Sequence, residues 1–507
     1  MSSHPTALST TRRIRWIVVG TVALLSAAVL VALPMYHDHA IYWRGGELLS
    51  SGGKLADDYL VKQPAIYMLF AAARALFGEH EWSYRLLDAI VQIATAAVLA
   101  RIGSRFGDSD LGAVAAAIYL VAYSASGYVL AAHPESYIGI VVGPLALLHA
   151  TDGTRRWHWF AEGILLTALV WLKVTFGLVA VALLAYDIVE RRWNGNRWIA
   201  IAAGAIVANA IGLALIYDRI EWSSLPAAIE YVHFYGSLPP LGSAALIAAW
   251  HNVIRSVAEH YTIALATFAL YGWLGVARHR DRIVAVWIAV SLALAVSIVV
   301  ERKFGVVHLW RMLPMLAIPM AEGAIELWHK LAAFWSSNRH VRRWAVAVPV
   351  VAALVFLQRY NAAFQRHAHN VLHRETLWQI AGTIASNRRP NERVLVLSAC
   401  MSQLYVFLRE PHWQHFSTTL PVLATCVPSR WRALLEQDMR SADWLVVGTL
   451  DRAEWLFGHD RSSLEALRSD STLSHYLDDR FVPVMLTDIA IVFHRKQYDV
   501  SHMSRSR

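Results

Sequence analysis

The sequence predicts an α-helical polytopic membrane protein with a small α/β domain at its C-terminal end. Three observations predict it. Hydrophobic residues make up 56% of the 507 residues and charged residues only 16%, against roughly a quarter charged in soluble chains. Apolar runs near the length of a bilayer-spanning helix recur along the first 357 residues. After Gln358 the pattern changes to short strand-like runs separated by amphipathic stretches. Disorder, collagen and a small disulfide scaffold are excluded by the same composition. Many of the 21 Trp lie at the ends of apolar runs, as an interfacial belt requires.

The runs follow in order. The first, Ile14–Leu33, comes after Arg12, Arg13 and Arg15 and lacks a small-residue cleavage site, so it reads as a retained helix. Next come Tyr84–Ala100, Leu111–Ala131, Tyr137–Ala150, Phe160–Leu172 and Val174–Val189. Ile199–Ile216, Tyr261–Ala277, Ile283–Val300, Val306–Leu327 and Trp344–Leu357 complete the set. The expectation is therefore about eleven spans, two of them short around Lys173. Basic residues alternate by side: Arg101 and Arg105, Arg155 and Arg156, Arg191, Arg192 and Arg197, Arg278, Arg280 and Arg282, then Lys330, Arg339, Arg342 and Arg343. By the positive-inside rule the N-terminus is cytoplasmic. An odd number of spans places the tail on the periplasmic face of a bacterial inner membrane. The domains expected are a membrane domain over 1–357, with a first outer loop at 36–83, and an extracytoplasmic α/β domain over 358–507. Strands are expected at Arg393–Ser398 and Trp444–Leu450, a hairpin at Phe481–His494, and helix at Arg461–Leu477. Cys400 and Cys426 both fall in this outer domain, where a disulfide between them is expected.

Polar chemistry concentrates at the outer rim. The first outer loop carries His37-Asp38-His39, Tyr42, Asp58-Tyr59, Lys62-Gln63-Pro64, Phe77-Gly78 and Trp82-Ser83-Tyr84-Arg85. His133-Pro134-Glu135 sits at the outer end of the third run, Trp171-Leu172-Lys173 between two short runs, and Arg302, Lys303, His308 and Arg311 before Pro314.

In order, spacing and common face, these segments resemble the GT-C membrane glycosyltransferases. The nearest likeness is the family 39-like branch that holds protein O-mannosyltransferases and the aminoarabinose transferases of lipid A. Asp38 matches the first acid of that branch's Asp-Glu pair, with His39 in place of the second. Asp58 matches its later Asp, and Lys62 and Pro64 match its Lys-Pro-Pro, with Gln63 intruding. Phe77, Gly78, Trp82, Ser83 and Arg85 match the end of a short amphipathic helix and the start of the next span. His133-Pro134-Glu135 is similar to a Pro-Glu step, Trp171–Thr175 to a Leu-Leu-Thr-Lys-Pro turn, and Phe304–Pro314 to an aromatic, His and Pro stretch. The resemblance implies a GT-C fold and an inverting transferase working on the outer face.

Chemistry agrees with that implication. Nucleotide sugars are scarce outside the cell, so a donor there arrives on a lipid. A polyprenyl-phosphate leaving group departs without a general acid. The site must supply a carboxylate to take the acceptor proton and cations for the growing phosphate charge. Asp38 is the expected base and Glu135 its reserve. The donor phosphate is assigned to Lys62, Arg85, Lys173, Arg302, Lys303, His308 and Arg311, and substrate contacts to Tyr42, Asp58, Tyr59 and His133. Each cation alone is more often a snorkelling interfacial residue. Arg85 and Asp88 also read as a structural pair on one helix face.

The partners expected are a polyprenyl-phosphate sugar, a glycan, lipid or protein hydroxyl acceptor, and membrane lipid, with no nucleic acid. No cofactor is expected, and no metal. With 23 His in the chain, the His37-Asp38-His39 run arises readily by chance, and His369 and His373 lack the Glu of a metalloprotease pattern. Glu322 and Glu326 read as cytoplasmic-interface residues. A transporter or flippase would place polar groups at the midplane, and a polysaccharide polymerase or ligase would place Arg and His in a large late outer loop. A scaffold that has lost its chemistry would keep the fold with changes such as Gln63 and His39.

Overall fold

The computed structural model describes residues 5–53, 62–106, 109–125, 127, 130–151, 155–219, 281–301, 306–337, 374–398, 400–416, 427–451 and 461–496, with isolated residues between them. Among the described residues nine α-helices precede residue 217: α1 Pro5–Ala32, α2 His37–Ser51, α3 Pro64–Phe77, α4 Ser83–Phe106, α5 Ser109–Ala125, α6 Ile138–Ala150, α7 Arg156–Leu172, α8 Leu178–Val189 and α9 Gly195–Ile216. Later come α10, Arg282–Glu301, and α11, Leu313–Ser337.

The expectation of about eleven spans is corrected. Among the described residues only α4, α9 and α10 are long and apolar enough to cross a membrane, with a fourth if the bent pair 16–32 and 37–51 counts as one. The reason is that apolar runs count residues and not continuous helix. The runs from Tyr137 and Val174 open in 3-10 turns, Pro134–Tyr137 and Val174–Gly177, which leaves α6 and α8 with 13 and 12 residues. At 1.5 Å per residue these are about 20 Å and 18 Å long, well short of the ~30 Å hydrocarbon core. The runs at Leu111 and Phe160 give helices of 17 residues. Most of Tyr261–Ala277 and all of Trp344–Leu357 lie outside the described residues. The chain remains an α-helical membrane protein with a C-terminal α/β region.

The chain divides into two compact units. The first takes 1–34, 63–215 and 241–367. Its helices approach closely where glycine permits: a Cβ on Gly163 would lie 2.0 Å from the Ile201 carbonyl oxygen, and one on Gly204 equally close to that of Phe160. The α7–α9 crossing is thus reciprocal, the small-residue contact typical of membrane helices. A buried ionic quartet ties the neighbouring helix ends. Arg197 of α9 reaches both Glu162 oxygens of α7 at 3.1 and 3.0 Å. His149 of α6 lies 2.9 Å from Glu162 and, through its other nitrogen, 3.3 Å from Asp187 of α8. The expected short amphipathic helix is α3, which begins at Pro64 and ends at Gly78 with φ +81°.

The second unit takes 35–62, 216–240 and 368–507. Its sheet is ordered β1-β2-β4-β3, with β1 Val394–Leu397, β2 Trp444–Gly448, β3 Phe481–Leu486 and β4 Ala490–Arg495. The first pair is parallel and the rest antiparallel. Both faces are covered. Leu395, Leu397, Leu445 and Val447 pack with Trp431, Leu435 and Met439 of the helix Ser429–Ser441. Val394, Val396, Trp444 and Val446 pack with Leu377, Ile380 and Ile384 of the helix at 374–387. Two-sided burial explains why β1 and β2 read as continuous apolar runs. The expected strands and hairpin are present, while the helix expected at Arg461–Leu477 is two, Ser463–Ser469 and Ser471–Arg480. Asp470 divides them by capping the second through the Thr472 and Leu473 N–H groups.

The helix α2 belongs to this unit. Its Arg44, 2% exposed, donates to the Glu410 carbonyl at 2.9 Å and lies 4.5 Å over the Tyr405 ring. The Glu410 carboxylate in turn accepts from the Val394 N–H, Trp413 Nε1 and Arg388. Cys400 is an exposed free thiol, and Cys426 lies outside the described residues.

Two measurements check these contacts. Glu162→Ala leaves a guanidinium and an imidazole buried beside one acid, and should cost about 3–5 kcal/mol. Unfolding in detergent at the wild-type midpoint would show the quartet to be inert. In the second unit, a hydrogen bond to Asp438 raises the His415 imidazole above its ordinary value, with burial opposing. That contribution is full below the unfolded-state value and is lost as pH rises through the raised folded-state one. The pH dependence of unfolding should therefore flatten across this window in His415→Gln, and an unchanged profile counts against the linkage.

Candidate active site

Five ionisable side chains converge in the first unit, and each stands at a place where a helix stops or breaks. Pro134 occupies the first position of the 3-10 turn that carries Glu135, a position whose missing N–H costs nothing. Lys173 follows α7 with an extended backbone, φ −164°, so the chain leaves the helix there before the next 3-10 turn. Glu301 is the last residue of α10. His308 and Arg311 lie in the short turns Val306–Leu309 and Trp310–Met312 that precede α11.

Lys173 Nζ sits 2.5 Å from Glu135 Oε1 and 2.7 Å from Glu301 Oε2. Arg311 donates to Glu301 Oε1 at 2.8 Å and Oε2 at 3.0 Å, to Glu135 Oε1 at 3.2 Å and to Ser297 Oγ at 2.6 Å. His308 Nδ1 lies 2.9 Å from Glu135 Oε1 and 3.5 Å from Glu301 Oε2. Thr175 donates to Glu301, and the Phe176 ring lies 4.9 Å beneath the Arg311 guanidinium. The Lys173 and His308 side chains keep 17% and 19% of their exposure, against 0% for Arg311, 3% for Glu135 and 6% for Glu301. Lys173 and His308 are therefore the two accessible members of the cluster, and Arg311 lies behind them.

Burial alone would raise the Glu135 carboxyl. The Lys173 charge, the His308 contact and Arg311 outweigh it and hold that carboxyl well below the ordinary glutamate range. An anion so held is a poor proton acceptor at neutral pH. Its chemical work is to fix the cations. Glu135, Glu301 and His308 offer ligand atoms within 4.8 Å of one another, a set that fits a divalent metal by type and distance. Lys173 Nζ already bridges the two carboxylates, so a metal would have to displace it.

The structure brings together Glu135, Lys173, His308 and Arg311 of the expected residues. Glu301 was not among them. Its only sequence signal is an acid closing an apolar run directly before Arg302-Lys303. Arg85 is buried and donates to the Pro34 carbonyl at 2.7 Å, and Asp88 is hydrogen-bonded to Tyr123 and Gln92. His133 is buried, and its carbonyl accepts from the Ser136 N–H and hydroxyl. Asp38 lies half-buried in the first turn of α2, 3.7 Å from His37, with Tyr42 buried one turn on. Lys62 is half-buried just before α3. Asp58, Tyr59, Arg302, Lys303, His369 and His373 lie outside the described residues. Glu326 pairs with Lys330 one turn along α11.

Comparison with known proteins bears on the fold. The family model described as dolichyl-phosphate-mannose-protein mannosyltransferase matches residues 57–217. No curated protein sequence matches. Among solved structures, ArnT from Cupriavidus metallidurans bound to undecaprenyl phosphate aligns with a TM-score of 0.63 at 15% identity, over 94% of this chain and 97% of that one. The apo form of the same protein gives 0.60 at 17%, over 96% and 98%. The oligosaccharyltransferase AglB from Archaeoglobus fulgidus, in complex with an inhibitory peptide and a dolichol-phosphate, gives 0.50 at 11%, over 95% and 74%. At these identities the likeness is one of fold alone.

Proposed function

We propose that the chain is an integral membrane glycosyltransferase that moves a sugar from a polyprenyl-phosphate to an acceptor hydroxyl, with inversion, on the outer face of the cytoplasmic membrane. The observation that carries this reading is the five-residue ionic cluster set at helix breaks in the first unit. The solved relatives hold undecaprenyl phosphate and dolichol-phosphate, and the same ligand chemistry suits Lys173 and His308. The rim motifs and the match over 57–217 favour the branch of protein O-mannosyltransferases and aminoarabinose transferases. The alternation of basic residues favours a cytoplasmic N-terminus.

The roles divide as follows. Two carboxylates balance Lys173 and Arg311, so with a neutral His308 the five sum to zero. The cluster therefore orients an anion more than it attracts one. Extra positive charge comes from a proton on His308, or from Arg302 and Lys303 next along the chain. The phosphate goes from about −1 in the diester towards −2 as the sugar leaves. Cations fixed beforehand favour that change over the ground state. Asp38 takes the acceptor proton, since Glu135 is committed to its cations. Lys62 is the remaining phosphate contact, and Tyr42, Asp58, Tyr59 and His133 are assigned to substrate.

The test is loss of radiolabel from a polyprenyl-phosphate sugar supplied to the purified protein. Asp38→Asn should keep the fold and donor binding and lose about 10²–10⁴-fold in transfer. Near-wild-type turnover in that variant removes Asp38 from the reaction. Lys173→Met should slow transfer far more than it weakens acceptor binding, and a loss confined to acceptor affinity contradicts the phosphate role.

A further inference from the structure

Glu135 owes its place to a second, fully buried network that makes none of the contacts of the ionic cluster. The turn that carries it is gripped on both sides. Before it, Ala132 has φ +60°, a left-handed conformation that a residue with a Cβ adopts only when its surroundings impose it. The Ala132 N–H donates to the Tyr123 hydroxyl at 3.1 Å. That hydroxyl donates to the Asp88 carboxylate, 2.9 Å from Oδ1 and 3.0 Å from Oδ2. After it, the Ser136 carbonyl accepts from Gln92 Nε2 at 3.3 Å, and the same amide donates to Asp88 Oδ1 at 2.8 Å. Tyr119 closes the network by donating to Gln92 Oε1 at 2.5 Å. Asp88 and Gln92 are one turn apart on α4, and Tyr119 and Tyr123 one turn apart on α5. Two helices thus hold the backbone at positions 132 and 136, three residues before Glu135 and one after.

Burying an acid, an amide and two phenols costs stability unless each is satisfied. A turn needs no such network merely to join two helices. What the arrangement achieves is a fixed position for one side chain.

We propose that Tyr123, with Asp88 and Gln92 behind it, is a positioning residue for Glu135, setting where that carboxylate meets Lys173, His308 and Arg311. The kinetic part of this proposal rests on the function given above; the geometric part does not.

The experiment is a double-mutant cycle on kcat and KM. Tyr123→Phe keeps the ring and removes the hydroxyl that joins Ala132 to Asp88. It should lower kcat by about tenfold, ~1.4 kcal/mol of barrier, with KM within about twofold. In a Glu135→Gln background the same change should cost less than about twofold, because residues that act through one another are not additive. An equal loss in both backgrounds, or no loss in the single variant, overturns the proposal. Asp88→Asn keeps an acceptor for the tyrosine hydroxyl and should recover most of the turnover that Asp88→Leu loses. Equal damage from the two substitutions overturns the relay. If the wild-type protein leaves the sugar on its lipid, the functional reading fails. The proposal is then decided by the structure of Tyr123→Phe: Glu135 drawn away from Lys173 supports it, and an unmoved turn overturns it.

Discussion

A single ammonium between two buried carboxylates is the contact on which the first unit depends. Lys173 Nζ is within 2.7 Å of both Glu135 and Glu301. Taking such charges out of water costs several kcal/mol each unless they are closely paired. Removing the lysine would leave two acids facing each other with one guanidinium between them. The pairing in turn demands that four separate chain breaks arrive together: the turn before α6, the step between α7 and α8, the end of α10 and the turns before α11. Each break lets a polar side chain stand where a continuous apolar helix would have passed.

The same constraint accounts for the short helices. α6, α7 and α8 run between two ionic centres. At one end of each lies Glu135 or Lys173, and at the other the quartet of His149, Glu162 and Asp187 with Arg197. The 13 residues of α6 set these centres about 20 Å apart along that helix. Helices clamped by charge at both ends have no need of the long apolar sides of a free-standing span. Their stability comes from the paired ends and from close crossings such as Gly163 with Gly204.

Much of this was legible in the sequence, and the parts that were not share a cause. Lys173 stood out because two short runs flank it, and His308 and Arg311 because they lie together before Pro314. The strands of the second unit were legible because each apolar run is bounded by turn residues. The number of spans was not, since hydropathy cannot tell an α-helix from a 3-10 turn of the same residues. Glu301 is hidden in the sequence because an acid at the end of an apolar run looks like a boundary residue beside Arg302 and Lys303. The quartet left no local trace either, because His149, Glu162, Asp187 and Arg197 are spread over four helices and meet only when these pack. Helix spacing pairs Asp88 with Arg85, whereas folding gives it to Tyr123, 35 residues away.

The charge balance of the cluster also separates two tasks that one carboxylate cannot perform together. A base must give up its hold on nearby cations to accept a proton, and its affinity for that proton must lie near the working pH. Glu135 is held by Lys173, His308 and Arg311 well below that range. Protonating it would leave three donors facing a neutral group and would loosen the arrangement that it organises. The organising anion and the proton acceptor must therefore be different residues. Glu301 is disqualified on the same ground, since Lys173, Arg311 and Thr175 all donate to it.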